Sequence, residues 1–365
     1  MGNQNEVRKN FGQRASEYRL STTHGNPVDL ERMINLIKPT SDDFALDVAT
    51  GGGHTAIALA KFYLHSNITF TRRDTMLSNQ SNTYVGSKAI QIRDESKDIY
   101  FNVLVQYPTN EPTSPTTFGP YTMDVCMNAQ CLEGRFPLVI ISHGSGGSHL
   151  LYRTISTHLA KNGFIVAMVE HYGNNRNDNE LENTEENLIL RPKHISLTID
   201  KLLSDSFFSK HIKEKKIAVV GHSMGGYTAL ALAGGIPRTR EGKKIETTAD
   251  SRIKAIVLLA PGTGWFINGL DNVSIPILML TAEHDPFTPA WNAEVVIKNI
   301  TDKSLVTFKQ IENAGHFSFL SPFPESMRNP KFLPSTDPEG FEREKFHVQL
   351  PIEILAYLNE KLYLN

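Results

Sequence analysis

Gly221-His222-Ser223-Met224-Gly225-Gly226 is the segment whose residue types and spacing most directly suggest chemistry. It stands between a β-branched apolar run, Ile217-Ala218-Val219-Val220, and a stretch rich in helix formers over 224–235. A nucleophile raised on such a strand-to-helix elbow needs small residues two before and two after it, because side chains there would collide in the tight turn. Gly221 and Gly225 leave that room. Serine at its free pKa is a weak nucleophile, so it needs a base, and the base needs an orienting carboxylate. Candidates follow in the order serine, acid, histidine. Asp285 lies just past the apolar run 277–281 in Glu283-His284-Asp285-Pro286, with Glu283 as a rival nearer the strand end. His316 lies in Asn313-Ala314-Gly315-His316-Phe317, with small residues before it and Phe317 and Phe319 behind. The chemistry would be acyl transfer: Ser223 attacks a carbonyl, His316 takes and returns the proton, and Asp285 orients the ring. The expected oxyanion donors are the backbone N–H groups of Met224 and, from the loop Ser142-His143-Gly144-Ser145-Gly146-Gly147, of Ser145. That loop is a weaker candidate for a phosphate cradle, since no G-K-[ST] follows and the spacing G-x-G-x-x-G is absent.

These residues need a scaffold, and the chain from about Lys88 onward alternates short β-branched runs with longer amphipathic stretches, the pattern of an α/β fold with a mostly parallel sheet. Two opening runs, 89–94 and 99–108, are expected to pair antiparallel. Six further runs, at 136–144, 164–171, 216–223, 254–262, 275–285 and 305–316, carry few interior charges and read as strands buried on both faces. Helices are expected over 150–163, 224–235 and 351–364. Two long polar stretches, 173–194 and 321–345, read as loops at the site entrance, with Leu188, Leu190 and Phe332 hinting at a covered pocket for an apolar acyl chain.

Composition narrows the classes. The 365 residues correspond to roughly two domains, or one large domain with an addition. With 40% hydrophobic and 21% charged residues the chain is globular rather than disordered or fibrous. A formal net charge of -2 supplies no global field for nucleic acid or an anionic membrane. There is no long apolar span, and the start lacks a secretory signal, so a cytoplasmic location is expected; Glu6 argues against N-myristoylation. Cys126 and Cys131 lie close enough in sequence to close a small disulfide loop but read as reduced thiols, and a pair is too few for a structural zinc site. His158, His171 and His222 read as core or surface residues. No H-E-x-x-H pair occurs, and no metal or cofactor is expected.

Residues from about Val85 to Asn365 resemble the α/β-hydrolase superfamily, specifically its serine branch related to dienelactone hydrolases and platelet-activating-factor acetylhydrolases. The likeness is carried by 136–174 with its Glu170-His171 pair, by AVVGHSMGGYTAL, by LTAEHDPFTP and by NAGHFSFL. Dienelactone hydrolases proper use a cysteine nucleophile; Ser223 at that position implies an esterase-type enzyme acting on a small-molecule ester. Amide, lactone, thioester and lipid-ester substrates stay open.

Residues 1–80 differ. The run Leu46-Asp47-Val48-Ala49-Thr50-Gly51-Gly52-Gly53-His54 resembles the first strand and glycine loop of class I S-adenosylmethionine methyltransferases. The remaining strands of such a sheet have no room before the hydrolase pattern begins. At the expected ribose-binding acid, Arg72 and Arg73 flank a displaced Asp74. Three readings stand: a fused structural appendage, a surface for a partner or for homo-oligomerisation, and a working cofactor site that would make the protein a methyltransferase or a sensor.

Overall fold

The computed structural model describes residues 83–363. The methyltransferase-like fragment 1–80, its glycine loop and the proposed association surface lie outside the described residues.

Strands β1 (Tyr84–Asp94) and β2 (Ile99–Thr109) form the expected antiparallel pair. A hairpin follows, β3 (Ser114–Phe118) and β4 (Tyr121–Met127), which no continuous apolar run in the sequence marks. In β4, Tyr121, Met123 and Val125 are buried while Thr122 and Asp124 face water. That is a half-buried strand, whose polar alternate residues hide it from a search for continuous apolar runs. Six strands complete the sheet: β5 (Phe136–Ser142), β6 (Ile165–Val169), β7 (Ile212–His222), β8 (Ile253–Leu259), β9 (Ile277–Ala282) and β10 (Val306–Ile311). Every neighbouring pair among these six is parallel. The spatial order is β10-β9-β8-β7-β5-β6-β2-β1-β4-β3.

Alternate residues of β5 divide between two core clusters, Leu138 and Ile140 in one and Val139 and Ile141 in the other. This is the period-two geometry of a strand covered on both faces. Helices α2 (Glu185–Ser204), α3 (Met224–Leu232) and α4 (Trp291–Asn299) pack on the first face; α1 (Arg153–Lys161) and α5 (Arg343–Tyr363) pack on the second. Each Leu, Ile or Val removed from water in this way contributes about 1.5–3 kcal/mol. β10 departs from expectation: Thr307, Phe308, Lys309 and Gln310 are exposed, because the strand closes the sheet edge and pairs only with β9.

The stretch 173–194 is not a loop throughout, since α2 begins inside it, started by the Thr184 hydroxyl accepting from Asn187 N–H. Pro192 obscured this helix, because proline supplies no N–H to the carbonyl four residues back. That carbonyl, Leu188 C=O, accepts instead from the Tyr227 hydroxyl of α3 at 3.1 Å. Likewise α5 starts at Arg343 and carries Pro351 within it, where the sequence had suggested a start at Pro351. Cys126 and Cys131 are free thiols. No helix among the described residues is long and apolar enough to cross a membrane.

Candidate active site

The loops that follow β5, β7, β9 and β10 leave the same edge of the parallel sheet, which is where ligands meet open α/β sheets. They bring Ser145, Ser223, Asp285 and His316 into one region.

Ser223 sits between β7 and α3 with φ 55° and ψ -116°, a conformation costly for a residue with a Cβ. Contacts impose it. Ser223 N–H donates to Leu259 C=O of β8 at 3.0 Å, and Ser223 C=O accepts from Gly226 N–H and Gly262 N–H at 2.8 and 2.9 Å. The flanking glycines are required by space: a Cβ on Gly221 would stand 2.0 Å from Gly225 O, and one on Gly225 would stand 1.9 Å from Ser142 O.

His316 Nε2 lies 3.0 Å from Ser223 Oγ, and His316 Nδ1 lies 2.7 Å from Asp285 Oδ2. An ionised carboxylate only accepts, so the ring proton belongs on Nδ1 and Nε2 is free to accept from the serine hydroxyl. Asp285 Oδ1 accepts from Phe287 N–H and Thr288 N–H, both at 2.8 Å, and Oδ2 accepts from the Thr288 hydroxyl at 2.7 Å. Burial pushes this carboxyl upward in pKa; the hydrogen bond and charge of His316, with the Thr288 donors, outweigh it and hold the group at about 2. Asp285 is therefore ionised and fully occupied as an acceptor. Thr288 was missed in the sequence, although a hydroxyl three residues after an aspartate in a turn is a readable signal.

Glu283, the rival acid, does something else. Its carboxylate accepts from Asn313 N–H at 2.8 Å, while Glu283 N–H and His284 N–H donate to Ile311 and Ala314 carbonyls at 3.1 and 2.8 Å. These bonds zip the acid loop to the histidine loop and so set the distance across which Asp285 meets His316.

His222 is wholly buried and uses both ring nitrogens. Its Nε2–H donates to His316 C=O at 3.0 Å, and Nδ1 accepts from the Tyr152 hydroxyl at 2.9 Å. Tyr152 in turn accepts from Gly144 N–H at 3.2 Å. Burial first, then the neighbouring His316, lower His222 to about 3, so the ring stays neutral. His222 thus joins the elbow, the histidine loop and the loop after β5.

The two expected oxyanion donors share one origin. In a trans peptide C=O and N–H point opposite ways. Ser223 C=O is held by two N–H groups, so Met224 N–H faces away from them. Gly144 C=O is held by His143 Nδ1–H at 2.7 Å and Gly147 N–H at 3.1 Å, so Ser145 N–H faces away likewise. Neither Met224 N–H nor Ser145 N–H donates to any described residue. Both are free backbone donors beside Ser223, whose Cβ lies 3.2 Å from where a Gly144 side chain would begin.

Ser223 and His316 open into a cavity of about 1130 Å³ whose wall includes Tyr121, Trp265, Phe287, Trp291, Phe317 and Phe323. Arg176 and Glu182 from one long insertion, and Phe332 and Pro334 from the other, also line it. Leu188 and Leu190 do not. Both are buried in α2, and Leu188 packs into the first core cluster.

The α/β hydrolase fold family matches residues 137–272. The chain is 31% identical over 157 residues to platelet-activating factor acetylhydrolase from Bos taurus, covering 31% of this chain and 35% of that protein. It is 24% identical over 184 residues to cutinase est1 from Thermobifida alba, covering 49% and 53%. The chain thus spans about a third to a half of the length of these curated relatives. A ferulic acid esterase from Streptomyces cinnamoneus superposes with a TM-score of 0.63 at 19% identity, covering 77% of this chain and 91% of that one. The chain has the α/β-hydrolase fold, a mostly parallel sheet flanked by helices. Its relatives at low identity are esterase-like.

Proposed function

We propose that the protein is a serine hydrolase that cleaves carboxylic esters through an acyl-enzyme, with residues 85–365 as the hydrolase unit. The observation that carries this reading is the relay from Ser223 Oγ through His316 to Asp285, at 3.0 and 2.7 Å, on an elbow held in strained geometry. Ser223 attacks the ester carbonyl as His316 Nε2 takes its proton, and the charge that develops on oxygen meets the N–H groups of Met224 and Ser145. The protonated His316, oriented by Asp285, gives its proton to the departing alcohol. Water then repeats the sequence on the acyl-enzyme. The aromatic cavity favours a small-molecule ester with an apolar or aryl portion; the three similar proteins act in ester chemistry by their names, which supports the bond type. No cofactor takes part in this scheme.

A fluorophosphonate probe followed by peptide mass spectrometry tests it. Labelling is expected at Ser223 alone and is lost in a folded Ser223→Ala variant that also loses hydrolysis of short acyl esters. A wild-type protein that is neither labelled nor active on any ester in the series refutes the reading.

A further inference from the structure

Arg191 is a fully buried arginine, and it forms no ion pair with a carboxylate among the described residues. A buried cation without a counter-ion is costly, so its hydrogen bonds show what it is held for. Its Nη2 donates to His143 C=O and, at 3.3 Å, to Ser142 Oγ. Its Nη1 donates to Asn174 Oδ1 at 2.6 Å, and its Nε donates to Thr228 Oγ1 at 3.1 Å. Each partner leads on to one of the two backbone segments that carry free N–H groups beside Ser223.

On the β5 side, the peptide 143–144 is gripped at both ends, with Arg191 on its carbonyl and the Tyr152 hydroxyl on Gly144 N–H. That fixes the plane from which the next peptide, carrying Ser145 N–H, departs. Asn174 Nδ2 donates to Ser145 Oγ at 3.0 Å, so the guanidinium reaches Ser145 a second time through one amide. On the α3 side, the Thr228 hydroxyl that accepts from Arg191 donates to Met224 C=O at 3.0 Å, tying it to the first turn of that helix. The surrounding rings add no rival charge. His143, His171 and His194 are all buried and held well below the usual histidine range, first by burial and next by the Arg191 charge itself. They are neutral, and they hydrogen-bond to one another and to Ser142.

We propose that Arg191 is the positioning residue of the oxyanion hole: one buried guanidinium clamps both the 142–145 loop and the start of α3, so that the Met224 and Ser145 N–H groups converge on the developing negative oxygen. Its charge, pulled down by burial to about 9, persists at neutral pH and adds a positive potential behind those donors. The inference rests on the acyl-enzyme reading above. It assigns to a residue outside the triad the alignment on which transition-state stabilisation depends, and it accounts for a buried charge that packing alone would disfavour.

The test uses full-length wild type, Arg191→Met, Arg191→Lys and Thr228→Val, each titrated with a fluorophosphonate so that rates refer to competent sites. For p-nitrophenyl butyrate, kcat per site is expected to fall about 10²-fold in Arg191→Met, the size seen when an oxyanion donor is lost, with KM within about twofold. The affinity of a trifluoromethyl ketone, whose adduct with serine places an oxyanion in the hole, should fall in proportion. Thr228→Val keeps the shape but removes the Nε acceptor, and should show the same pattern at about a tenfold loss. If Arg191→Met does not fold, Thr228→Val and Arg191→Lys decide. Wild-type kcat and ketone affinity per site in those variants, with only a lowered Tm, would overturn the proposal by leaving Arg191 a purely structural role. Failure of the acyl-enzyme reading registers separately, as a wild type the probe does not label, and removes this inference with it.

Discussion

Asp285 illustrates how a single side chain links stability to the site's chemistry. Its folded pKa of about 2 lies below the ordinary carboxylate value of 3.8, so the bond to His316 and the Thr288 donors stabilise the fold when the carboxyl is ionised. The sign follows from the depression: this stabilisation is complete above about pH 4 and is lost as pH falls through about 2. The depression corresponds to about 2 kcal/mol. Urea denaturation across pH 2–6 should show wild-type stability dropping over that acid window, and Asp285→Asn, which cannot titrate, should show a shallower drop from a lower plateau. Ser223, Asp285 and His316 were all legible in the sequence as candidates, because the proposed relay demands particular residue types next to strand ends and because glycines mark the elbow. Tyr152, Arg191 and the bridging role of His222 were not. Their partners lie as far as 94 residues away along the chain, and nothing in local spacing distinguishes a buried, bonded Tyr or Arg from an ordinary one.

Among the elements, α2 and α3 show how a local rule is broken and then repaired. Pro192 leaves Leu188 C=O without its helical donor, and Tyr227 of α3 supplies one across the interface. A carbonyl left unsatisfied in a buried setting costs about 1–3 kcal/mol. Tyr227→Phe is therefore expected to destabilise the protein by an amount in that range, and by clearly less in a Pro192→Ala background, where residue 192 regains an N–H for the same carbonyl. A double-mutant cycle measured by denaturant unfolding gives the coupling; additive effects would show that the two groups do not share that carbonyl. β5 to β9 could be read because buried strands are continuous apolar runs. The β3–β4 hairpin and α2 could not, the first because it alternates and the second because proline and polar residues mask its period. The exposed face of β10 follows from its place at the sheet edge, which the order of strands along the chain does not specify.

At the scale of the whole molecule, the cavity is assembled from distant parts: Tyr121 from the hairpin, Trp265 from the segment after β8, Trp291 at the start of α4, and Phe323 beyond the histidine loop. A volume of about 1130 Å³ with such a wall should distinguish substrates by their apolar bulk more than by the bond broken. Trp291 stands half-exposed at this wall. Trp291→Ala is expected to raise KM for aryl and long-chain acyl esters several-fold, about the loss from one apolar contact of 1–3 kcal/mol, while leaving acetyl esters nearly unchanged. A KM series over acyl length checks this, and an equal change for every ester would place Trp291 outside the acyl path. The sequence by itself determined the fold class, most of the strand framework and the serine and histidine candidates of the relay, because these are written in apolar periodicity and in short motifs whose chemistry tolerates few substitutes. Only the tertiary structure decided which acid meets His316, which backbone N–H groups are left free, what wall surrounds the substrate and what the buried Arg191 holds. Those properties arise where separate segments meet, and a hydrogen bond between residues dozens of positions apart leaves no local trace in the chain.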